Sequence, residues 1–192
     1  MVIKGKSIKG KRIIAVKDGV IEVRSLVGED AREVLEATIK IAGETPYLAA
    51  TPEERYITLE EEEQWILRAN YSKDTVVLGA FYRAEDEDTC TYAGNIELKL
   101  KTNARRKHRA DIGIALLQEY TDKGIGTALI ENIKKVAKIN GVEMLSLSVM
   151  TTNIPALNCY MRQGFKIVGT EYKSIKYKDG TYGDMYIMQC EI

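Results

Sequence analysis

The sequence predicts an α/β (α+β) fold, a mixed and mostly antiparallel sheet with a central parallel pair and flanking helices. Three observations predict it. Short β-branched runs recur near both ends and through the middle of the chain. Helical spacing of apolar residues appears in four intervening segments. One of those helices lies directly between two strands, and such a unit returns the chain in the same direction, which makes the two strands parallel. With 192 residues the chain supports one sizeable core. The expected organisation is an arm with the start of a hairpin over residues 1–19 and a single domain over 20–192.

The elements follow in order. "RIIAVKDGVIEVRSL" holds two β-branched runs around Asp18 and Gly19, a hairpin turn, and the opening dozen residues read as a loose arm. "EDAREVLEATIKIAG" places Ala31, Val34, Leu35, Thr38 and Ile39 on one helical face, with Gly43 positioned to close the helix. In "TLEEEEQWILRAN" Thr58 caps a second helix, and the run Glu60 to Glu63 suits the positive end of its dipole as a solvated face. "TVVLGAFYRA", "TYAGNIELKLK" and "HRADIGIALLQ" read as three strands of a meander. A helix from about Gly124 to Asn140 precedes the strand "EMLSLSVM" and the short helix "IPALNCYMRQ", which Gly164 ends. "FKIVGTEYKSIKYK" and "TYGDMYIMQCEI" are the last two strands. The order is β, α, α, β, β, β, α, β, α, β, β, with the hairpin's leading run counted with the arm.

Composition narrows the function. The chain has 28 basic and 28 acidic residues, so no global field recruits nucleic acid or an anionic membrane. Its three cysteines, Cys90, Cys159 and Cys190, are far apart and lack metal-ligand spacing, which predicts no metal site and a reduced, cytoplasmic setting. The N-terminal stretch lacks the apolar run and cleavage site of a signal peptide, and no apolar stretch is long enough to span a bilayer. The sequence is compatible with a homodimer and does not fix the oligomeric state.

The chemistry concentrates in "YTDKGIGTALIENIKK", residues 120–135. No GxxxxGK[ST] string exists, and the dinucleotide fingerprint fails because Leu129 stands where its third glycine belongs. A helix N-terminus without side chains at Gly124 and Gly126 lets backbone N–H groups approach a phosphate or diphosphate closely. Close packing of helix on sheet is the other reading, and this stretch alone leaves both open.

The neighbouring residues extend the pattern. "TDKGIG" resembles the Q/R-x-x-G-x-G/A signature of the GNAT superfamily of N-acetyltransferases, and "NIPALNCYMRQGF" matches that superfamily's N-x-x-A-x-x-x-Y-x-x-x-G-F segment. The resemblance covers roughly residues 20–192 and is strongest over 110–165. "DGTYGDMYIM" is similar to the final strand of the branch that includes ribosomal-protein N-terminal acetyltransferases. The resemblance implies acetyl-CoA as co-substrate and an amine as acceptor. It assigns Ile114, Ala115 and Leu116 to the acetyl group and pantetheine arm. It assigns Asp122, Lys123, Gly124, Ile125, Gly126 and Thr127 to the diphosphate, Asn153 to further cofactor contact, and Tyr160 to the vicinity of the thioester sulfur. Two departures stand out: Thr121 replaces the signature's long first side chain, which shifts weight to the backbone or to Lys123, and Ser148 replaces the glutamate of the ribosomal-alanine enzymes.

Acetyl transfer makes three demands. An amine with a reference pKa near 10.4 is unprotonated in only about one molecule in a few thousand at pH 7, so a base is required. Glu97, at an alternating strand position, is the candidate, with an exposed strand carboxylate as the plain alternative. Charge developing on the acyl oxygen needs a preorganised donor, which the main-chain N–H near Leu116 supplies if its strand splays from its neighbour. The departing thiolate needs an acid that keeps its proton at neutral pH, and Tyr160 has that property.

Other residues carry weaker readings. His108, the one histidine, sits in the exposed-looking "ARRKHRAD", and Arg105, Arg106, Lys107 and Arg109 there read as a solvated turn. Cys159 has no histidine pairing in the sequence, which favours direct transfer over an acetyl-cysteine. The resemblance implies that the first two helices and their loop wall the acceptor site, and Tyr47 and Trp65 lie there or equally in the core. The reading is an N-acetyltransferase acting on a primary amine of a small molecule. A protein N-terminal acetyltransferase and a non-catalytic CoA-binding module are the alternatives.

Overall fold

Asp18 takes a left-handed φ of 59° and Gly19 follows it, packed so tightly that a Cβ there would lie 2.3 Å from the Arg83 carbonyl oxygen. This turn joins β1 (Arg12–Val16) to β2 (Gly19–Arg24). The computed structural model describes residues 10–48, 54 and 57–192. Most of the predicted arm, residues 1–9, lies outside the described residues, whereas the hairpin's leading strand, counted above with the arm, is part of the sheet. The remaining elements are α1 (Ala31–Glu44), α2 (Leu59–Tyr71), β3 (Thr75–Ala84), β4 (Thr91–Leu100), β5 (Arg109–Leu116), α3 (Ile125–Ile139), β6 (Met144–Met150), α4 (Ile154–Arg162), β7 (Lys166–Lys176) and β8 (Tyr182–Glu191).

Local chemistry sets the helix ends. Thr58 accepts from Glu61 N while Glu61 Oε2 accepts from Thr58 N, a reciprocal capping box that starts α2. Glu62, however, is buried against the sheet and does not belong to the solvated face predicted for the acidic run. In α1 the buried stripe is Ala31, Val34, Ala37, Ile41 and Ala42, shifted from the predicted face, and Gly43 sits inside the last turn instead of closing the helix.

The eight strands form one sheet in the order β1-β2-β3-β4-β5-β6-β8-β7, with β5 and β6 as its parallel pair. One apolar cluster lies between the sheet and α3 with α4 and includes Ile96, Leu98, Leu129, Ile133, Leu145 and Leu147. A second lies under α1 and α2 and includes Val34, Ile66, Val77, Phe81 and Tyr92. These clusters define an α3 face and an α1 face of the sheet.

Two irregularities shape the centre. Strands β5 and β6 pair only from Arg109 with Met144 to Asp111 with Ser146, and no pairing joins them beyond that point. On its other side β5 stays paired with β4 as far as Leu116 opposite Gly94. In β4, Gly94 pairs with Ala80 and Tyr92 with Phe81, so Ala93 is an extra residue, a β-bulge. The bulge reverses the alternation: Ala93 joins the α3-face cluster, and Tyr92 turns to the α1 face beside Asn95, whose Nδ2 donates to Tyr92 Oη at 2.8 Å.

Candidate active site

The parting of β5 from β6 leaves main-chain groups without partners among the described residues. Leu117 N donates to Ala93 O at 3.0 Å, on the β4 side. Alternate residues of a strand point their amides to opposite sides. The N–H groups of Leu116 and Ile114 therefore face the gap, and Ala115 faces β4. The sequence-predicted trio Ile114, Ala115 and Leu116 thus forms one wall of an opening with two outward donors.

The start of α3 faces the same opening. Asp122 and Gly124 both take left-handed φ, 58° and 86°, and the first helical bond is Ala128 N to Gly124 O at 3.1 Å. The amides of Ile125, Gly126 and Thr127 precede that bond, so they are among the unpaired first-turn donors of a helix. A Cβ on Gly124 would enter open space, and one on Gly126 would touch Leu116, Cys159 and Ile114 at 3.7–3.9 Å, ordinary contact. Packing alone therefore demands no glycine at 126. The positive φ demands one at 124. The cradle has the donors and the room that a diphosphate needs.

Neighbouring side chains complete the loop. The Thr121 hydroxyl donates to Gln118 O at 2.7 Å, so it braces the preceding turn where the signature's long side chain would reach outward. Lys123 Nζ lies 4.9 Å from the centroid of the Tyr82 ring. A groove of about 470 Å³ opens beside the loop, with Ala15, Val16 and Lys17 of the hairpin on one side and Asp122, Gly124 and Thr127 on the other.

Helix α4 borders the opening. Asn153 is its N-cap: Oδ1 accepts from Ala156 N at 3.3 Å, which leaves Nδ2 to donate elsewhere. Cys159 Sγ stands 3.8 Å from Thr127 Oγ1, tying α4 to the first turn of α3. Tyr160 is buried to 8% exposure, its ring edge-on to Phe165 with centroids 5.9 Å apart. Its hydroxyl has no hydrogen bond among the described residues, yet it is not one of the sealed unpaired atoms, which are Ser25 Oγ and Asn140 Oδ1. The ring is packed and the hydroxyl still meets accessible space. Burial, with a smaller contribution from Cys159, raises the phenol's pKa well above its ordinary value near 10.

On the α1 face Glu97 pairs in register with Val77 and Gly113, and Ile96 and Leu98 to either side turn to the other face. Ser148 occupies the same face of β6, because Leu147 and Val149 belong to the α3-face cluster. Extending the register of Asp111 with Ser146 sets Ser148 level with Gly113 and Glu97. Gly113, with open space where a Cβ would be, lies between them. Two strand spacings put Glu97 and Ser148 about 10 Å apart, and the splay adds to that. Glu97 is half-buried and forms no ion pair among the described residues.

Other predicted residues lie elsewhere. His108 is at the far end of β5, eight residues or about 26 Å from Leu116, where its carbonyl accepts from Glu143 N and Met144 N. The basic turn at 105–107 is exposed at that same end, and Arg109 Nη2 reaches Ser146 Oγ at 3.4 Å. Trp65 packs on the second cluster, a core role. Tyr47 N donates to Thr45 Oγ1 in the turn after α1, and the rest of its loop, 49–53 and 55–56, lies outside the described residues. Residue types and spacing gave no sign of Lys17, Tyr82, Tyr92 or Asn95. The one local cue is the small pair Ala93-Gly94, which breaks the alternation of β4.

No group of histidines, cysteines or carboxylates with metal-binding geometry occurs among the described residues, and no helix there is long and apolar enough to cross a membrane. The three cysteines are free thiols.

Comparison with known proteins identifies the chain's family and relatives. The model of the acetyltransferase (GNAT) family matches residues 37–165. The L-amino acid N-acetyltransferase AaaT of Escherichia coli is 32% identical over 96 residues, 50% of this chain and 59% of that enzyme. The spermidine N(1)-acetyltransferase of Thermoplasma acidophilum is 30% identical over 162 residues, 79% of this chain and 91% of that enzyme. Among solved structures, an acetyltransferase of the GNAT family from Streptococcus pneumoniae superposes with a TM-score of 0.80 and 25% identity, covering 90% of this chain and 99% of the other.

Proposed function

Because this chain belongs to the acetyltransferase (GNAT) family, we propose that it is an acetyl-CoA-dependent N-acetyltransferase that moves an acetyl group directly to a primary amine of a small molecule. The observation that carries this reading is the parting of β5 from β6 beside the open first turn of α3. Similarity to a spermidine acetyltransferase along most of both chains, and to an amino-acid acetyltransferase over a shorter stretch, supports a small amine as acceptor. A cytoplasmic setting fits the three free thiols.

Bound acetyl-CoA supplies an acyl group activated as a thioester, carried on a pantetheine arm with a diphosphate behind it. The amides of Ile125, Gly126 and Thr127, aided by the helix dipole, hold the diphosphate, with Asp122, Lys123 and Gly124 shaping the loop. Asn153 adds its Nδ2. Ile114 and Leu116 offer their gap-facing amides as a strand edge for the arm, and the Leu116 N–H meets negative charge developing on the acyl oxygen. Tyr160 donates its proton to the departing thiolate, and Glu97 takes the proton of the amine from the α1 face. Cys159 has no histidine near it and takes no part as a nucleophile.

A thiol-release assay over polyamines, amino acids, aminoglycosides and N-terminal peptides, at fixed acetyl-CoA, tests the proposal. Release with at least one small amine is expected. Release with none, together with no thermal stabilisation by acetyl-CoA, overturns it, since a ligand of the folded state raises stability by mass action.

A further inference from the structure

We propose that Tyr82 is a positioning residue for the diphosphate loop and acts through the N-terminal hairpin; this rests on the function proposed above. Among the described residues, one main-chain hydrogen bond reaches residues 122–124 from outside the loop and its helix: Lys17 N donates to Lys123 O at 3.0 Å. A trans peptide is planar with its C=O and N–H opposed. Holding the Lys123 carbonyl toward the hairpin therefore turns the Gly124 N–H away from it, toward the open side of the cradle. Asp122, the non-glycine residue before Lys123, holds a left-handed φ of 58°, a strained backbone state that its surroundings must maintain.

Tyr82 supplies that enforcement from two directions. Its hydroxyl donates to Asp18 O at 2.5 Å, fixing the turn that follows Lys17. Its ring, buried to 6% exposure and 5.3 Å from the Tyr120 ring, lies under the Lys123 ammonium. Movement of the turn is restrained, because Gly19 sits in the β2–β3 ladder opposite Ala84 and close against the Arg83 backbone. A second anchor, Arg12 Nη1 donating to Asn132 Oδ1 at 3.0 Å, holds the hairpin to the side of α3. Lys17 and Asp18 lie before residue 37, where the family match begins. The cofactor loop of this chain is thus set by a strand pair outside the matched region.

The test compares wild type, Tyr82→Phe and Tyr82→Leu by calorimetric Kd for acetyl-CoA and by kinetics with acetyl-CoA and with S-acetylpantetheine, a donor without the diphosphate. Phe keeps the ring and loses the Asp18 anchor: the Kd and KM for acetyl-CoA rise about fivefold, the factor of one hydrogen bond, with kcat and the S-acetylpantetheine reaction within about twofold. Leu loses both contacts, and the expected weakening exceeds about tenfold. Unchanged acetyl-CoA affinity in both variants overturns the inference. So does an equal loss with both donors, which marks a merely structural role. If Leu does not fold, Phe decides. Failure of the wild type to bind acetyl-CoA overturns the proposed function and this inference with it, whereas wild-type binding with unaltered variants removes this inference alone.

Discussion

Leu116 Cδ1 stands 3.7 Å from where a side chain on Gly126 would begin. One carbon fits there and a branched chain does not. Gly126→Ala is therefore expected to fold and to bind acetyl-CoA within a few-fold of wild type. Gly126→Val meets Leu116, Cys159 and Ile114 and intrudes on the cradle, so it loses binding by more than about tenfold, or 1.4 kcal/mol. Calorimetry on both variants checks the pair, and equal affinity in the two would separate this glycine from the cofactor.

Tyr160→Phe removes a hydroxyl that no protein group bonds among the described residues, and leaves the ring on Phe165. Thermal stability should stay within about 0.5 kcal/mol of wild type, as for a change that breaks no buried contact. Loss of a general acid lowers kcat by about a hundredfold or more, with the KM for acetyl-CoA little changed. A kcat within twofold of wild type would leave Tyr160 a packing residue.

The pH profile follows from the same phenol. Burial favours its neutral form and raises its pKa above 10. Activity that needs the protonated form is lost only as pH rises through that raised value. The wild-type rate should show no alkaline decline from this group up to pH about 10, the reference value for tyrosine. A fall in kcat centred between pH 8 and 9, absent in Tyr160→Phe, would contradict the assignment.

A structural test lies at the other edge of the α1 face. Arg24 grips Asp30 through two bonds of 2.6 and 2.7 Å, Asp30 also accepts from Val27 N, and the guanidinium covers the Phe81 ring at 3.8 Å. Asp30→Ala leaves the Val27 amide without its acceptor and takes from Arg24 its two-bond partner, leaving it Glu22 at 3.2 Å and the Ser25 carbonyl at 3.1 Å. It is expected to cost about 2–3 kcal/mol, below the full range for a sealed pair because Arg24 keeps some solvent, and to lower Tm by about 5–10 °C. Differential scanning calorimetry gives the answer, and a shift under 2 °C would show the pair to be dispensable.

What the sequence made legible was local. The N-cap of α2 depends on Thr58 and Glu61, three residues apart, and α3 is bounded by Gly124 and Asn140 as their chemistry implies. The parallel pair follows from one helix between two strands. What stayed hidden depends on distant partners or on a change of phase. Glu62 looks like its acidic neighbours, yet its helix face turns to the sheet. Tyr92 reaches the α1 face only because Ala93 bulges out of register. The bond from Lys17 to Lys123 spans more than a hundred residues, and no local pattern encodes such a contact. The candidate cofactor loop could thus be read from its glycines, and its support could not.

Glu97→Gln tests the base. The amine enters mostly as its cation, with a reference pKa near 10.4 for a lysine-like group, and each pH unit below that cuts the neutral fraction tenfold. A carboxylate facing the acceptor side can take the proton from the bound cation, freeing the nitrogen lone pair before it attacks the acyl carbon, and an amide cannot. The variant should therefore depend on amine already neutral in solution. At pH 7 its kcat/KM for the amine is expected to fall by about a hundredfold, the usual scale of general-base assistance. The deficit should shrink steadily toward pH 10, as more substrate arrives unprotonated, while acetyl-CoA affinity stays at the wild-type value because Glu97 lies on the opposite face from the α3 cradle. A ratio of wild type to variant that is constant from pH 7 to 10 would mean that Glu97 orients the amine without deprotonating it. A ratio near one would leave it an ordinary strand carboxylate.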